Sequence, residues 1–211
     1  MAPINDQSQV QIRYLGRVPY LPVYHEMQLF TDRRTAETID ELWILEHLPV
    51  YTLGLAGKME HLLNPQAIPV HRTDRGGQVT YHGPGQLVIY VLMNLERRSW
   101  HIKQLVNALE QAVINYLANH HLLGERRDHA PGVYVDGRKL SSLGLRIRRN
   151  CSYHGLSLNI AMDLTPFQGI NPCGYQGLEM TQLCDLGVMG TFMEISQQFL
   201  PYLLKTLGYK Q

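Results

Sequence analysis

A cysteine and a lysine of this 211-residue chain stand where a nucleophile could be presented and activated. Cys173 lies in the tetrapeptide NPCG, whose proline and glycine predict a sharp turn that presents the thiol. Lys139 closely follows an Asp136-Gly137 pair, the strongest short-range signal of a β-hairpin. A cysteine needs a neighbouring Lys or His to become thiolate near neutral pH, so Lys139 could activate Cys173. Two structural alternatives stay open: a lone cysteine is usually a small buried hydrophobe, and a hairpin lysine is usually a solvated charge.

Two glycine-containing segments have the composition of ligand-binding backbone. The segment RGGQVTYHGPG, residues 75–85, is too rich in glycine for a helix or an ordinary strand interior, and it lets backbone amides approach a ligand. In YHGLSLNI, residues 153–160, His154 and Gly155 interrupt an alternating strand, which often marks close approach by a ligand or another backbone. The alternatives are a tight surface turn for the first segment and a satisfied, half-buried histidine for the second. The segment 75–85 matches neither a dinucleotide nor a P-loop fingerprint.

The cysteine pattern and the apolar runs predict the cellular setting. Cys151, Cys173 and Cys184 form an odd set without a CxxC pair, which predicts a reducing, cytoplasmic environment. One loose CxxH, formed by Cys151 and His154, is weak support for zinc, and nothing near Cys173 matches a cysteine-protease signature. The N-terminus lacks a signal-peptide pattern, and the apolar run 87–93 is far shorter than the roughly 20 residues of a membrane-spanning helix. We therefore expect no metal and no membrane partner.

The composition favours one globular unit. The chain is 45% apolar and only 18% charged, with a formal net charge of +1. This is enough apolar material for a real core, and it gives no overall attraction to nucleic acid or to an anionic membrane. Because no repeat or linker divides the chain, we expect residues 1–211 to form a single domain.

Hydrophobic periodicity predicts a mixture of strands and helices. Strands are predicted at 41–47, 49–54, 86–95 and 151–162, with a hairpin at Asp136-Gly137. Helices are predicted at 24–34, from an N-cap at Ser99 to a stop at Gly124, and at about 191–207, where Pro201 would introduce a kink. His120 and His121 would cap the end of the second helix. Because the strands do not alternate with helices, the predicted class is α+β.

Four segments together closely resemble the lipoyl(octanoyl) transferases, also called octanoyl-[acyl-carrier-protein]–protein N-octanoyltransferases. In chain order they are RGGQVTYHGPGQLVIYVLMNL, PGVYVDGRKLSSLG, YHGLSLNI and INPCGYQGLEMTQ. The resemblance extends upstream through DELWILEHLPVYTLG and covers about residues 20–187. It implies one α+β domain with a mixed β-sheet and flanking helices, similar to the catalytic domains of lipoate and biotin protein ligases. Positions 141 and 157 are Ser where the family more often has Ala, which would make the acyl pocket slightly more polar.

The resemblance implies roles for individual residues. Cys173 would carry the acyl thioester, and Lys139 would favour the thiolate and act in acid–base steps. His154 would support the site, and backbone amides near Gly76, Gly77 or Gly144 would stabilise the tetrahedral oxyanion. The implied substrate-binding residues are Arg75, Gly76, Gly77, Gln78, Val79, Thr80, Tyr81, His82, Ser142, Leu143, Gly144, Gly155, Leu156 and Ser157.

The reaction that the resemblance implies is octanoyl or lipoyl transfer, the first step of endogenous protein lipoylation, with no cofactor. The donor would be octanoyl-acyl carrier protein. The acceptors would be single lysines on lipoyl domains of 2-oxoacid dehydrogenase complexes and on glycine cleavage H-type proteins. Two alternatives remain: an ATP-dependent lipoate-protein ligase, which gives a turn-presented cysteine no role, and a non-catalytic acyl-binding module on the same fold.

Acyl carrier proteins and lipoyl domains are generally acidic, so a group of arginines is a candidate docking surface for them. Arg146 and Arg148 share one face of the strand that follows the hairpin, Arg149 lies next to them, and Arg138 adjoins Lys139. Such a surface would steer an acidic carrier protein toward Cys173. The alternative is an ordinary solvated strand face.

Overall fold

A computed structural model describes residues 9–210 of the chain. Within this range the strands are β1 Val10–Val18, β2 Asp40–His47, β3 Val50–Leu53, β4 Val70–Arg72, β5 Val79–His82, β6 Gln86–Leu92, β7 Gly132–Val135, β8 Arg138–Arg148 and β9 Cys151–Asn159. The α-helices are α1 Tyr20–Arg33, α2 Ile102–Asn119 and α3 Phe192–Leu207. Nearly all of the N-terminal stretch that lacks a signal-peptide pattern lies outside the described residues.

A large mixed sheet forms the centre of the fold. Its strands lie in the order β1-β2-β6-β9-β8-β7; β1 and β2 run parallel, and every other neighbouring pair is antiparallel. Helices α2 and α3 pack on one face, where Leu42, Ile89 and Leu109 are among the fully buried residues. Helix α1 covers the other face through Val23 and Met27. The α+β class predicted from the sequence is confirmed.

A small second sheet lies beside the large one and carries the glycine-rich segment. Its order is β4-β3-β5, with β5 antiparallel to β3. Tyr51, Tyr81 and Phe167 form its own apolar cluster. Since side chains alternate along a strand, the residues of β5 that do not enter this cluster, Thr80 and His82, face the opposite way. That opposite face borders the cavity described below.

The N-terminal region departs from the sequence prediction. The periodicity does not predict β1, and α1 begins at Tyr20, directly after Pro19, instead of at residue 24. The β1-α1-β2 segment is a parallel crossover, so the fold contains one βαβ unit that the predicted pattern lacked. The expectation that residues 75–85 hold no ordinary strand is also wrong, because β5 pairs with β3 over four residues.

Helix ends are the other point of difference. Ser99 is not an N-cap, because its φ of 53° places it in the left-handed region, and the helix begins at Ile102 with His101 as N-cap. The helix ends at Asn119 with His120 as C-cap, well before Gly124. The C-terminal helix is confirmed and runs past Pro201 to Leu207. None of the helices within residues 9–210 is long and apolar enough to cross a membrane.

Candidate active site

A cavity of about 350 Å³ lies between β5 of the small sheet and strands β6, β8 and β9 of the large sheet. This volume is within the range of roughly 300–1,000 Å³ that is usual for small-molecule sites. The predicted residues that line it are Arg75, Gly76, Gly77, Gln78, Val79, Thr80, His82, Lys139, Ser142, Leu143, Gly144, His154, Gly155, Leu156, Ser157 and Cys173. Four segments that are distant in sequence therefore meet at one site.

Cys173 is presented by a strained turn. The segment Pro172–Gly174 is one turn of 3₁₀-helix in which Cys173 has φ 57° and Gly174 has φ 81°. A non-glycine residue in the left-handed region costs of order 1–3 kcal/mol and persists only where the surroundings hold it. Here the amide of Asn171 donates to His61 O at 2.8 Å, and the amide of Gly174 donates to Asn171 O at 2.9 Å. The predicted presentation of the thiol is confirmed, and Cys173 is only partly buried.

Lys139 is fully buried and in contact with the thiol. Its Nζ donates to Cys173 Sγ at 3.0 Å and to Pro131 O at 2.8 Å. The face of the Tyr134 ring lies 5.3 Å from Nζ, a favourable cation–π distance. A buried ammonium requires a compensating partner, and a thiolate on Cys173 would supply one. The alternative of a solvated hairpin lysine is wrong.

The chain around Lys139 is fixed from two sides. The Lys139 amide donates to Glu179 O, and the Thr181 amide donates to Lys139 O, both at 2.9 Å, so the segment after Cys173 pairs with the hairpin strand. Gly132 has φ 142°, and a β carbon there would lie 2.5 Å from Lys139 Cε. The lysine side chain therefore passes through space that only glycine leaves open.

Arg75 holds the glycine-rich segment against the small sheet. Its guanidinium donates to Thr52 O at 2.6 Å, to Thr52 Oγ1 at 2.8 Å and to Gly76 O at 2.9 Å. Burial lowers the pKa of Arg75, yet guanidinium stays charged in proteins. A fixed positive charge therefore borders the cavity.

A carboxylate and an imidazole meet beside the cavity. His154 Nε2 lies 3.1 Å from Asp74 Oδ1, and Tyr153 OH donates to Asp74 Oδ2. Burial opposes ionisation of Asp74, but the hydrogen bonds from His154 and Tyr153 hold the pKa of Asp74 well below its ordinary value. Burial lowers the pKa of His154, so the neutral ring donates from Nε2 to the carboxylate. The structural alternative for His154 is right that the ring is satisfied but wrong that it is half-buried, because His154 is 2% exposed and also lines the cavity.

Two predicted roles need correction. Tyr81 does not line the cavity, because the alternation of β5 turns its ring into the cluster with Tyr51 and Phe167. The amide of Gly76 donates to Leu145 O at 2.8 Å, so it is already committed and does not serve as an oxyanion donor. Gly155 is needed for close backbone approach, as predicted, since a β carbon there would lie 2.0 Å from Ile89 O.

Several lining residues have no signal in the sequence. They come from α1, β6, α2, the loop before β7, β8 and the segment after the Cys173 turn, and include Tyr20, Val88, Tyr90, Ile102, Val106, His129, Ala130, Pro131, Leu145 and Tyr175. Ser141 donates to Ser157 O at 2.8 Å and does not line the cavity, so only Ser157 adds polarity of the two. Among residues 9–210, no group of three His, Cys, Asp or Glu side chains is placed to hold a metal ion.

The arginine group is less free than the sequence suggests. Arg148 forms an ion pair with Asp32 at 3.1 Å, and Arg149 donates to Asp32 O at 3.2 Å. The Nε atom of Arg146 is buried without a hydrogen-bond partner among the described residues. Arg138 lies in a separate surface pocket with Asp136. A strong basic surface formed by these residues is not evident, and their docking role remains a prediction.

The chain is similar in sequence to one protein family along most of its length. Residues 19–204 match the family model of the lipoyl protein ligase A/B catalytic domain. An octanoyltransferase of Laribacter hongkongensis is 56% identical over 202 residues, which are 96% of this chain and 98% of that protein. An octanoyltransferase of Xylella fastidiosa is 52% identical over 217 residues, covering 99% of this chain and 95% of that protein.

Solved structures share the fold at low identity. A lipoate-protein ligase A bound with ATP superposes with a TM-score of 0.76 and 14% identity, over 96% of this chain and 88% of that one. A biotin protein ligase from Aquifex aeolicus superposes with a TM-score of 0.57 and 12% identity, over 93% of this chain and 68% of that one. The similarity to these ligases was expected from the sequence and is confirmed at the level of the fold.

Proposed function

The chain belongs to the octanoyltransferase family, which has the lipoyl protein ligase A/B catalytic domain, and we propose that it transfers octanoyl through a thioester on Cys173. The observation that carries this mechanism is the 3.0 Å contact between Lys139 Nζ and Cys173 Sγ beside the cavity. A lysine ammonium paired with a thiolate is the arrangement that nucleophilic acyl transfer by cysteine requires. The proposed catalytic unit is the whole chain, 1–211.

In the first half-reaction the Cys173 thiolate attacks the carbonyl carbon of octanoyl-acyl carrier protein. The tetrahedral intermediate collapses with cleavage of the bond between carbonyl carbon and carrier sulfur. The Lys139 ammonium gives its proton to the departing thiolate, which leaves octanoyl on Cys173 and a neutral amine on Lys139. Exchange of one thioester for another is nearly isoenergetic, so the step needs no ATP.

In the second half-reaction the neutral ε-amine of an acceptor lysine attacks the same carbonyl carbon. Lys139 takes a proton from the attacking nitrogen, and the bond from the carbonyl carbon to Cys173 Sγ breaks. The product is a stable amide, and the thiolate–ammonium pair is restored. A single lysine thus acts first as acid and then as base at one atom, Nζ.

Charge on the carbonyl oxygen in each intermediate needs hydrogen-bond donors. Of the three amides considered from the sequence, that of Gly76 is committed to Leu145 O. Gly77 has φ 85° and lines the cavity. Its neighbour Gln78 lies against the Cys173 turn, since a β carbon at Gly174 would lie 3.1 Å from Gln78 Cγ. We assign the Gly77 amide as the first candidate for the oxyanion donor, with the Gly144 amide, which also lines the cavity, as the second.

The partners follow from the reaction. The donor is octanoyl-acyl carrier protein, and the acceptors are lipoyl domains of 2-oxoacid dehydrogenase complexes and glycine cleavage H-type proteins. We also propose a cytoplasmic location, which the three free cysteines favour because a reducing compartment keeps thiols unpaired. An ATP-dependent ligase is the weaker candidate, since ligases resemble this chain at 14% identity and octanoyltransferases at 52–56%.

The mass of the intact protein after mixing with octanoyl-acyl carrier protein tests the proposal. We expect a gain of one octanoyl group that hydroxylamine removes and that Cys173→Ser abolishes, with Cys184→Ser as a matched control that still gains the group. Adding a lipoyl domain should discharge the enzyme and modify the domain without ATP. An unmodified wild-type protein, or modification only with free lipoate and ATP, would overturn the proposal.

A further inference from the structure

The inner end of the cavity is polar, although the octanoyl group that we propose it binds is a hydrocarbon chain. The residues toward the entrance are the exposed ones: Ile102 is 43% exposed and Tyr175 is 45% exposed. Tyr20, Tyr90 and Thr80 also line the cavity but are only 4%, 4% and 7% exposed, and the Tyr20 ring stacks on His82, so we take them as its inner end. A purely apolar chain would meet hydroxyl groups there.

Two of these hydroxyls are unsatisfied within the described part of the chain. Thr80 Oγ1 is buried and makes no hydrogen bond to any residue in 9–210. Tyr20 OH is buried without a partner at good hydrogen-bond geometry in the same range, and the Thr73 side chain is near enough only for a weak interaction. A buried hydroxyl without a partner costs roughly 1–3 kcal/mol in proteins, so such groups are normally satisfied by a ligand or by ordered water. The cavity is the space that both residues share, so their partner is expected to enter through it.

The neighbouring rings add acceptors. Gln86 Nε2 donates to Asn159 Oδ1 at 3.0 Å, so Gln86 Oε1 accepts the 2.7 Å hydrogen bond from His82 Nδ1. Burial lowers the pKa of His82 to about 3, which leaves the ring neutral with an acceptor at Nε2. His47 Nδ1 donates to Val18 O at 3.0 Å and its Nε2 accepts from Tyr90 OH at 2.6 Å, so the Tyr90 oxygen keeps free lone pairs.

The spacing along β5 matches the length of the acyl chain. The Cys173 turn packs against Gln78, because a β carbon at Gly174 would lie 3.1 Å from Gln78 Cγ. Thr80 and His82 follow on the same strand face, about 7 and 13 Å further at ~3.3 Å per residue. Seven bonds of an extended octanoyl chain span roughly 8 Å, scaled from the ~3.5 Å that three backbone bonds span. The far end of the chain therefore arrives near Thr80.

We propose that Tyr20, Thr80 and His82 form a hydrogen-bonding subsite for a polar atom at the far end of the acyl chain. The enzyme then transfers a medium-length acyl group with a terminal hydroxyl better than an all-carbon chain of the same size. When octanoyl is bound, ordered water is expected to satisfy the hydroxyls of the subsite. A nonanoyl chain, which is one methyl group longer, would displace that water and leave the hydroxyls without a partner. This inference rests on the proposed acyl transfer and adds a second determinant of which chains are accepted.

Two isosteric donors provide the test: 8-hydroxyoctanoyl and nonanoyl thioesters of acyl carrier protein, which differ by hydroxyl against methyl. We expect the wild-type enzyme to favour the hydroxyl chain about tenfold in kcat/KM for transfer to a lipoyl domain. Thr80→Val and Tyr20→Phe each delete one hydroxyl with little change in shape and should reduce that preference to about threefold or less. Tyr14→Phe, at a tyrosine that is 42% exposed, is the matched control and should keep the full preference.

The ratio of two donors within one protein cancels any general loss of activity or folding. Equal rates for the two donors in the wild-type enzyme would overturn the subsite, as would an undiminished preference in both Thr80→Val and Tyr20→Phe. Octanoyl transfer is the reference in every assay. A wild-type protein that does not transfer octanoyl would refute the proposed function, whereas normal octanoyl transfer without discrimination would refute only the subsite.

Discussion

Replacing Lys139 by methionine removes the ammonium beside the nucleophile and keeps most of the side-chain volume. The native Nζ has no access to solvent, and its hydrogen bonds go to Cys173 Sγ at 3.0 Å and Pro131 O at 2.8 Å. In Lys139→Met the thiolate loses its counter-charge and the leaving sulfur loses its proton donor. We expect acyl transfer to fall sharply while the fold persists.

The magnitude follows from these two losses. A hydrogen bond to a charged group contributes ~1.5–3 kcal/mol, and 1.36 kcal/mol is a factor of ten in rate, so loss of the ion pair alone costs roughly 10- to 150-fold. Loss of the proton donor costs roughly 10²–10⁴-fold, and the two effects overlap because they share one atom. We expect a decrease of about 10³-fold. Stability should change little, because a neutral thiol needs no buried partner charge.

Rapid mixing with octanoyl-acyl carrier protein, followed by intact mass measurement, gives the rate of octanoyl gain on Cys173. Lys205→Met is the matched control, since Lys205 is exposed on α3, and it should react at the wild-type rate. Urea unfolding of both variants measures stability. Octanoyl gain within fivefold of wild type in Lys139→Met would refute the assigned role, provided that the variant is folded.

Three further outcomes follow from the structure. Burial lowers the pKa of His47 to about 4 from the ordinary 6.5, so the folded state binds fewer protons than the unfolded state. Stability should therefore be full above pH 6.5 and fall as the pH drops toward 4, by on the order of 2 kcal/mol at pH 5, and urea unfolding that shows equal stability at pH 7 and 5 would contradict this. Gly132→Ala places a β carbon 2.5 Å from Lys139 Cε and should reduce octanoyl transfer at least tenfold; a fully active variant would show that the lysine has other routes to Cys173. Arg34→Met leaves Asp40, whose side chain is 5% exposed, without its closest cation, and should lower the free energy of unfolding by about 3 kcal/mol, whereas the KM for the donor should not change.

Much of the catalytic centre is determined by local sequence. The turn at Cys173 depends on the adjoining proline and glycine, and the hairpin before Lys139 depends on an Asp-Gly pair whose φ angles of 48° and 78° fit the turn. Both features need only a few neighbouring residues, so they can be read without the fold. The apolar runs likewise determined most strands of the large sheet. The predicted β-strand at 86–95, for instance, is β6 with a shorter end, Gln86–Leu92.

Tertiary structure decided which of these residues face the cavity and in what state. Pairing of β5 with β3 turns Tyr81 away and directs Thr80 inward, a choice that the sequence leaves open because an isolated strand has two equivalent faces. The burial of Lys139 and the commitment of the Gly76 amide arise from segments far away in sequence. Tyr20 reaches the inner end only because α1 crosses the sheet between β1 and β2. Hydrophobic periodicity indicates the secondary structure of a single segment. The site depends on contacts between distant segments, and these contacts form only when the helices and sheets pack together.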